Sequence, residues 1–154
     1  MATQIQFLGL GTFRITLADG RVVLMDPCLE KDNPVSPLKV SELTRVDVLC
    51  VSHLAADHLG EAAQVATRFR CPVVCGAEVK YYLTCQGVHP EQFRTLTWNA
   101  QTNPGGIRIR AVPSMHASMG LAPDGKWLCG APMGFIVYAA DDCRIYHSGD
   151  TALY

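Results

Sequence analysis

The sequence predicts a mixed α/β or α+β fold in which strands pack as a sandwich and helices follow selected strands. Short apolar runs of strand length recur along the chain, and two segments between them carry apolar residues at helical spacing. Apolar residues make up 49% of the 154 residues and charged residues 18%, a balance that suits one globular domain with a core. Strands that alternate with helices favour this fold class.

The first elements are predicted to be strands joined by tight turns. Three segments have strand character, at 5–8, 13–17 and 21–25. Ala18-Asp19-Gly20 is typical of a hairpin turn. A loop rich in Pro, Asn and Ser at 33–37 precedes residues 46–51, an apolar run that indicates a buried strand.

The rest of the chain alternates helical and extended segments. Residues 59–69 are predicted to be a helix with an apolar stripe for packing on a sheet, and residues 77–85 a second helix that Gly87 closes. Further strands are predicted at 72–75, 93–97, 106–112, 134–140 and 144–146. The glycine-rich segment 117–132 is predicted to be irregular and to form the rim of a pocket. Because the chain shows no repeat and no linker, a single domain is expected.

The most specific pattern lies where the strand at 46–51 meets the first predicted helix. His53, Asp57 and His58 follow that strand closely, so their side chains can converge on one point. Imidazole and carboxylate groups suit Zn, Mn or Fe(II), and affinity alone does not select among these metals. Each residue also has another interpretation: Asp57 as the N-cap of the helix, His53 as a hydrogen-bonded strand-end residue and His58 as a surface residue. Together, at this spacing, the three residues favour a metal site.

Further strand ends carry residues of the same chemistry. His116 follows the strand-like run at 106–112, and Asp150 follows the strand at 144–146. Gly149, directly before Asp150, allows a sharp backbone turn at that strand end. Asp26 precedes a proline at the end of another strand, a position that is also typical of a turn.

These motifs, in this order, resemble the metallo-β-lactamase superfamily of metal-dependent hydrolases. The superfamily pattern His-x-His-x-Asp-His is matched by His53, Asp57 and His58, with Ala55 in the place of the second histidine. The chain is similar to a branch of small cytoplasmic hydrolases that includes the ascorbate-6-phosphate lactonase group. The resemblance implies a metallo-β-lactamase-like αββα sandwich, of which this chain supplies the first half and the start of the second.

The resemblance also implies a site and a reaction. The implied ligands of one or two divalent metals, zinc first and manganese or iron as alternatives, are His53, Asp57, His58, His116 and Asp150. Asp57 would be the catalytic residue that holds or orients the attacking water. Asp26 would not bind the metal itself but would orient a ligand histidine. The implied reaction is metal-assisted hydrolysis of a small molecule that contains a lactone, another ester or a phosphoester.

Two departures from the superfamily leave an alternative open. Ala55 has no metal-binding group. The metal site to which the first two histidines of the pattern would contribute therefore keeps only His53 and His116, one ligand short of the usual three. A natural loss and an introduced His-to-Ala change both fit this observation. The superfamily also continues past the position of Tyr154, with a last histidine ligand. Residues 1–154 are therefore expected to be one incomplete domain.

Two functions fit such a domain. It is either a hydrolase, present as a fragment or completed by self-association or by a second chain, or a degenerate homologue or fragment that acts as a binding or structural subunit. The net charge of −1 gives no reason to expect a nucleic-acid or membrane partner. The first residues do not have the pattern of a signal peptide, and no apolar run is long enough to span a bilayer. A cytoplasmic location is expected.

Other residues are expected to be structural. The seven cysteines are odd in number and argue against a disulfide framework. Four of them are predicted to be small core residues: Cys50, Cys71, Cys75 and Cys143. For Trp127, packing against a sheet is favoured over contact with a substrate. His147 precedes Asp150 by three residues, a spacing that puts them on opposite faces of a strand, so His147 is not expected to be a ligand.

Overall fold

Two β-sheets pack face to face in the computed structural model, which describes residues 2–140 and 142–153. Met1, Asp141 and Tyr154, which belong to the expected domain, lie outside the described residues. Helices cover the outer face of the first sheet. This arrangement is the predicted mixed α/β class.

The first sheet contains six strands in chain order. They are β1 (Gln4–Phe7), β2 (Phe13–Thr16), β3 (Val22–Met25), β4 (Val48–Val51), β5 (Val73–Cys75) and β6 (Phe93–Thr95). The first three strands pair antiparallel and the last four pair parallel. Parallel neighbours need crossover connections, which here contain helices. These are α1 (Ala56–Leu59) and α2 (Ala62–Phe69) after β4, and α3 (Ala77–Cys85) after β5.

The remaining strands form the second sheet and a separate hairpin. They are β7 (Gln101–Thr102), β8 (Arg108–Pro113), β9 (Ser118–Leu121), β10 (Trp127–Gly130), β11 (Met133–Tyr138) and β12 (Arg144–His147). The second sheet has the order β12-β11-β8-β7 and is antiparallel, while β9 pairs with β10 alone. Short 3-10 helices lie at Val40–Glu42, Pro90–Gln92 and Pro104–Gly106.

Two hydrophobic clusters hold these layers together. Along β3, Val23 and Met25 point into the layer between the two sheets, whereas Leu24 points towards the helices. This alternation is the ordinary period of two in a strand, so a strand that is covered on both faces is apolar throughout. On the second sheet, Phe135 and Val137 of β11 complete the layer between the sheets. The polar ends of the strands are thereby brought to one edge of the sandwich.

The predicted helix at 59–69 differs from the structure, which has two helices there. The break lies at Gly60, whose φ is +38°, a conformation that favours glycine. A Cβ at Gly60 would lie 2.5 Å from the carbonyl oxygen of Pro27, so only glycine lets the chain pass this close. Glu61 then accepts hydrogen bonds from the backbone N–H groups of residues 29–31 through its buried carboxylate. The break therefore fixes the loop after β3 beside the start of α1.

Three other structural predictions were wrong. The segment 117–132, predicted to be irregular, contains the hairpin β9–β10. Trp127 is 75% exposed because it lies on the outer face of that hairpin rather than against a sheet. Cys143 is exposed beside a turn, whereas Cys50, Cys71 and Cys75 are buried as predicted.

Within residues 2–140 and 142–153, no helix combines the length and the apolar character that crossing a membrane requires.

Candidate metal centre

The predicted site residues come together at one edge of the sandwich. His53 follows β4, and Asp57 and His58 lie in the one-turn helix α1. His116 follows β8, and Asp150 follows β12, so each sheet contributes to the same cluster. The ligand atoms of two groups of three residues lie within 4.8 Å of one another: His53, His116 and Asp150, and Asp57, His58 and Asp150.

Asp26 is a buried residue that forms hydrogen bonds behind this cluster. It is fully buried directly after β3 and has a φ of +44°, a strained conformation for a residue other than glycine. Its carboxylate accepts hydrogen bonds from the Ser52 N–H and from the Ser52 hydroxyl, both at 2.7 Å. It also accepts one from Nδ1 of His58 at 2.7 Å. Asp26 therefore contacts a candidate ligand histidine without belonging to either group of three.

These hydrogen bonds assign the tautomers of both buried histidines. Because Asp26 can only accept, Nδ1 of His58 carries a proton, and in the neutral ring that a metal would bind Nε2 has the free lone pair. The hydroxyl proton of Ser52 goes to Asp26, so the 2.9 Å contact between Ser52 Oγ and His53 Nδ1 has the imidazole as donor. His53 is thus also protonated on Nδ1. Both Nε2 atoms are left as acceptors that face the cluster.

The lone pairs on these nitrogens have the environment of metal ligands. Nε2 of His53 is buried and has no hydrogen-bond partner among the described residues. Nε2 of His58 lies 3.1 Å from one oxygen of Asp150, and Nε2 of His116 lies 3.8 Å from the other. A buried acceptor without a donor is unfavourable unless a cation or water fills the space. The residues present therefore fit a divalent metal.

Burial and charge act in opposite directions on the pKa values here. Burial raises the pKa of Asp26, but the hydrogen bond from His58 and the charges of His147 and His58 outweigh it, so the net shift is downward. Burial lowers the pKa of His58, but the bond to Asp26 and its charge outweigh this effect and raise it. Burial and the neighbouring His58 lower the pKa of His53. Asp26 is therefore held as a carboxylate, and His53 is held neutral.

The structure rejects two of the simpler interpretations. The residue at the N-cap of α1 is Ala55, and Asp57 lies inside the helix, so Asp57 is not the cap. His58 is 2% exposed, so it is not a surface residue. His53 does form a hydrogen bond at a strand end, as its simpler interpretation required, but only through Nδ1.

The cluster also changes the ligand count that Ala55 suggested. From the sequence, the metal site that lacks a histidine at Ala55 kept only His53 and His116 as ligands. In the structure Asp150 lies within reach of both of them as well as of Asp57 and His58. Each group thus has three donors, two imidazoles and a carboxylate in one and one imidazole and two carboxylates in the other, with Asp150 in common.

Sequence reasoning missed three residues that shape the site. Ser52 links Asp26 to His53, but a serine at a strand end gives no signal of this role. Gly11 packs directly on His58, because a Cβ at Gly11 would lie 2.4 Å from its Cε1 atom. His147 is buried beside Asp26, which corrects the expectation that it points away. The strand-period argument failed because β12 ends at His147 and Gly149 turns the chain with a φ of +59°.

Two clefts open from the cluster. One has a volume of about 550 Å³ and lies between the first hairpin and β12, with Asp57, His58 and Asp150 in its wall. Its apolar lining residues are Ile5, Leu10, Phe13, Ile15, Ile145 and Tyr146. The other has a volume of about 690 Å³, is shallow, and runs past His116 along Trp98, Met115 and Pro132. None of the described residues that line either cleft is Lys or Arg.

The two packed sheets with helices over one of them match metallo-β-lactamase-like structures. The family model described as a beta-lactamase superfamily domain matches residues 21–154. The chain therefore belongs to the metallo-β-lactamase superfamily.

Individual relatives agree with this assignment. A UPF0173 metal-dependent hydrolase from Rubrobacter xylanophilus is 34% identical over 153 residues, which cover 99% of this chain and 62% of the relative. One from Solibacter usitatus is 32% identical over 152 residues, 98% of this chain and 64% of the relative. The solved structure of a metallo hydrolase from Ignicoccus hospitalis has a TM-score of 0.75 at 22% identity and supports the fold, covering 99% of this chain and 62% of that one. The chain thus spans less than two thirds of the length of these proteins.

Proposed function

We propose that this chain is the metal-binding part of a hydrolase that cleaves an ester, lactone or phosphoester bond with an activated water. The observation that carries this proposal is the pair of buried imidazoles whose Nε2 lone pairs face the carboxylates of the cluster. Relatives named metal-dependent hydrolases support it further.

In this proposal each residue has a defined task. The metal ligands are His53, Asp57, His58, His116 and Asp150. A divalent metal bound there supplies an activated water and polarises the carbonyl or phosphoryl oxygen under attack. Asp57, which is half-buried in the wall of the apolar cleft beside the first hairpin, accepts a hydrogen bond from the attacking water and orients it. Asp26 keeps His58 in the tautomer that binds metal, which is the usual work of a carboxylate behind a ligand histidine.

Zinc is the first metal in this proposal, with manganese or iron as alternatives. The group that contains His53 and His116 is richer in nitrogen, which suits zinc and Fe(II). The group that contains Asp57 is richer in oxygen, which suits manganese. Near-stoichiometric metal in protein purified without chelator, measured by elemental mass spectrometry, is the expected result.

An uncharged ester or lactone is favoured over a phosphoester. Charged phosphate groups are usually bound by Arg, Lys or backbone N–H groups, and the described lining of both clefts contains neither Arg nor Lys. A panel of p-nitrophenyl acetate, γ-butyrolactone and p-nitrophenyl phosphate separates these substrates. We expect turnover of the first two, and turnover of the phosphate alone would reverse the preference.

Two variants connect hydrolysis to the cluster. Asp57→Asn keeps the shape of the side chain but weakens its oxygen donor, so we expect hydrolysis to fall while the fold is kept. Glu91→Gln is the matched control, because Glu91 is exposed and lies outside the cluster. Equal hydrolysis by both variants would contradict the role of Asp57, and a chain that binds no metal would contradict the proposed function as a whole.

A binding or structural subunit is the second candidate, and Ala55 is the observation that favours it. The Ala55→His variant separates the two. Hydrolysis that appears or rises in this variant supports an enzyme weakened by the loss of one ligand. An inactive variant that nevertheless binds metal supports the subunit.

We also propose that residues 1–154 form a single, incomplete metallo-hydrolase-like domain that acts in the cytoplasm on a small molecule. Ile5 and Phe7 of β1 are 55% and 59% exposed where the layer between the sheets opens beside β12. Light scattering during gel filtration tests whether a second copy covers this face. A dimer that Ile5→Lys dissociates would support self-association, and a monomer at all concentrations would favour a second chain. Cell fractionation tests the location.

A further inference from the structure

We propose that His147 is a positioning residue that holds two backbone segments against the metal centre. The proposal rests on the proposed metal-dependent function. His147 is the last residue of β12, is 8% exposed and belongs to neither group of three donors. It comes from the second sheet, whereas Asp26, Ser52 and His58 belong to the first sheet and its connections.

Both ring nitrogens of His147 bind backbone groups. Nδ1 accepts a hydrogen bond from the N–H of Gly149 at 3.1 Å, so it carries no proton. The proton of the neutral ring is therefore on Nε2, which donates to the carbonyl oxygen of Gly11 at 2.8 Å. The ring of Phe13 packs edge-on against the imidazole, with the centroids 5.6 Å apart. With both nitrogens engaged and one face packed, the ring is fixed in place.

The first of these backbone groups supports His58. Gly11 lies in the turn between β1 and β2, and its Cα atom is so close to the His58 imidazole that no Cβ fits between them. The turn thus forms a wall against which that ring rests. A hydrogen bond to the Gly11 carbonyl holds the wall in place, so the loss of this bond would allow both the turn and the His58 ring to shift.

The second backbone group supports Ser52 and presents Asp150. A Cβ at Gly149 would lie 2.9 Å from Cβ of Ser52, the residue that links Asp26 to His53. Gly149 also precedes Asp150 and makes the left-handed turn that brings the carboxylate into the cluster. The bond from the Gly149 N–H to His147 therefore fixes where this turn begins.

One side chain thus holds both segments at once. Gly11 contacts the candidate ligand His58. Gly149 contacts Ser52, which is hydrogen-bonded to His53, and it directly precedes Asp150. Residues that orient ligands from outside change metal affinity by about 10–100-fold when they are replaced. His147 is expected to behave in this way although it does not bind the metal.

The test compares two variants of the whole chain. In His147→Phe an aromatic ring remains at this position, but the hydrogen bonds to Gly11 and Gly149 are both lost. In His147→Gln the side-chain amide can donate to Gly11 and accept from Gly149. His89→Gln is the matched control, because the side chain of His89 is 67% exposed and far from the cluster in sequence. Two quantities are measured for each protein: the affinity for cobalt(II), with its visible spectrum, and the hydrogen exchange of the Gly149 amide without metal.

We expect His147→Phe to lose at least about tenfold in cobalt affinity, to alter the spectrum and to expose the Gly149 amide to exchange. His147→Gln should recover most of the affinity, and His89→Gln should match the unchanged chain. If His147→Phe does not fold, His147→Asn, which is too short to span both backbone groups, takes its place.

Two outcomes would overturn the proposal. The first is that the Phe or Asn variant binds cobalt as tightly as the chain of native sequence does. This outcome would leave the proposed function intact. The second is a Gln variant no better than the Phe or Asn variant in affinity and spectrum. An unchanged chain that binds no cobalt would instead show that the proposed function fails, and the positioning role with it.

Discussion

The candidate metal centre has a buried half and an exposed half, and they are built differently. The buried half consists of Asp26, Ser52, His53 and His58, all at most 2% exposed and joined by hydrogen bonds. The exposed half consists of His116 and Asp150, whose side chains are 43% and 47% exposed. Asp57 lies between the two halves in exposure.

This difference shows how one cluster can serve both the fold and a reaction. The buried half sets the orientation of its imidazoles before any ligand arrives, since its hydrogen bonds exist in the folded chain itself. The exposed half has few such bonds and borders the clefts, where a substrate can reach it. Replacements in the buried half should therefore affect stability and binding together, and replacements in the exposed half should affect binding alone.

The largest effect is expected for Asp26→Ala. The variant leaves the Ser52 N–H, the Ser52 hydroxyl and Nδ1 of His58 buried without their acceptor. A buried donor without an acceptor typically costs about 1–3 kcal/mol, and three are left here, so urea denaturation of the metal-free protein should show a loss of at least about 3 kcal/mol. Asp32→Ala, at an exposed position, is the control. A loss below about 1 kcal/mol would mean that the network does not stabilise the fold.

A different effect is expected for His116→Ala in the exposed half. Zinc affinity, measured by competition with a chromophoric chelator, should fall by more than about 100-fold, since loss of an outer partner alone costs about 10–100-fold. The free energy of unfolding of the metal-free protein should change by less than about 0.5 kcal/mol, as is usual at surface positions. A large loss of stability would remove the distinction between the two halves.

A smaller effect is expected for Gly11→Ala, which pushes on the buried half from outside. The new methyl group would meet Cε1 of His58, so the ring or the turn must shift. We expect zinc affinity to fall by about tenfold. Gly120→Ala is the matched control, because a Cβ there would make ordinary contact with Leu54 at 3.7 Å. Equal affinity of the two variants would show that the turn yields without moving the histidine.

The smallest effect is expected in a labelling experiment on the cysteine thiols, which are also divided into a buried and an exposed group. Burial raises the pKa of Cys28 to about 11 and that of Cys71 to about 12, and it also raises the pKa of Cys50 and Cys75. The other three cysteines, Cys85, Cys129 and Cys143, are exposed. A maleimide reagent near neutral pH should therefore modify three of the seven thiols in the native protein, as counted by intact mass. Modification of Cys28 would show that the loop after β3 opens.

The sequence predicted most of the strands and the chemistry of the cluster. Apolar runs such as the one ending at Val51 have a physical signature of their own, because a strand covered on both faces must be apolar along its length. The candidate ligands that follow three of the strands could likewise be identified without coordinates. The hairpin β9–β10 could not, because its two strands pair only with each other and half of their residues are exposed.

What the sequence determined by itself was the kind of side chain available at each strand end: His53, Asp57, His58, His116 and Asp150 could be identified as candidate ligands. What only the tertiary structure decided was how these groups meet. Asp150 meets both the pair His53 and His116 and the pair Asp57 and His58, Asp26 is bonded to Ser52 and His58, and His147 is bonded to Gly11; all of these contacts join separate strands or their connections. Local sequence cannot encode such contacts, because they join residues that are far apart in the chain.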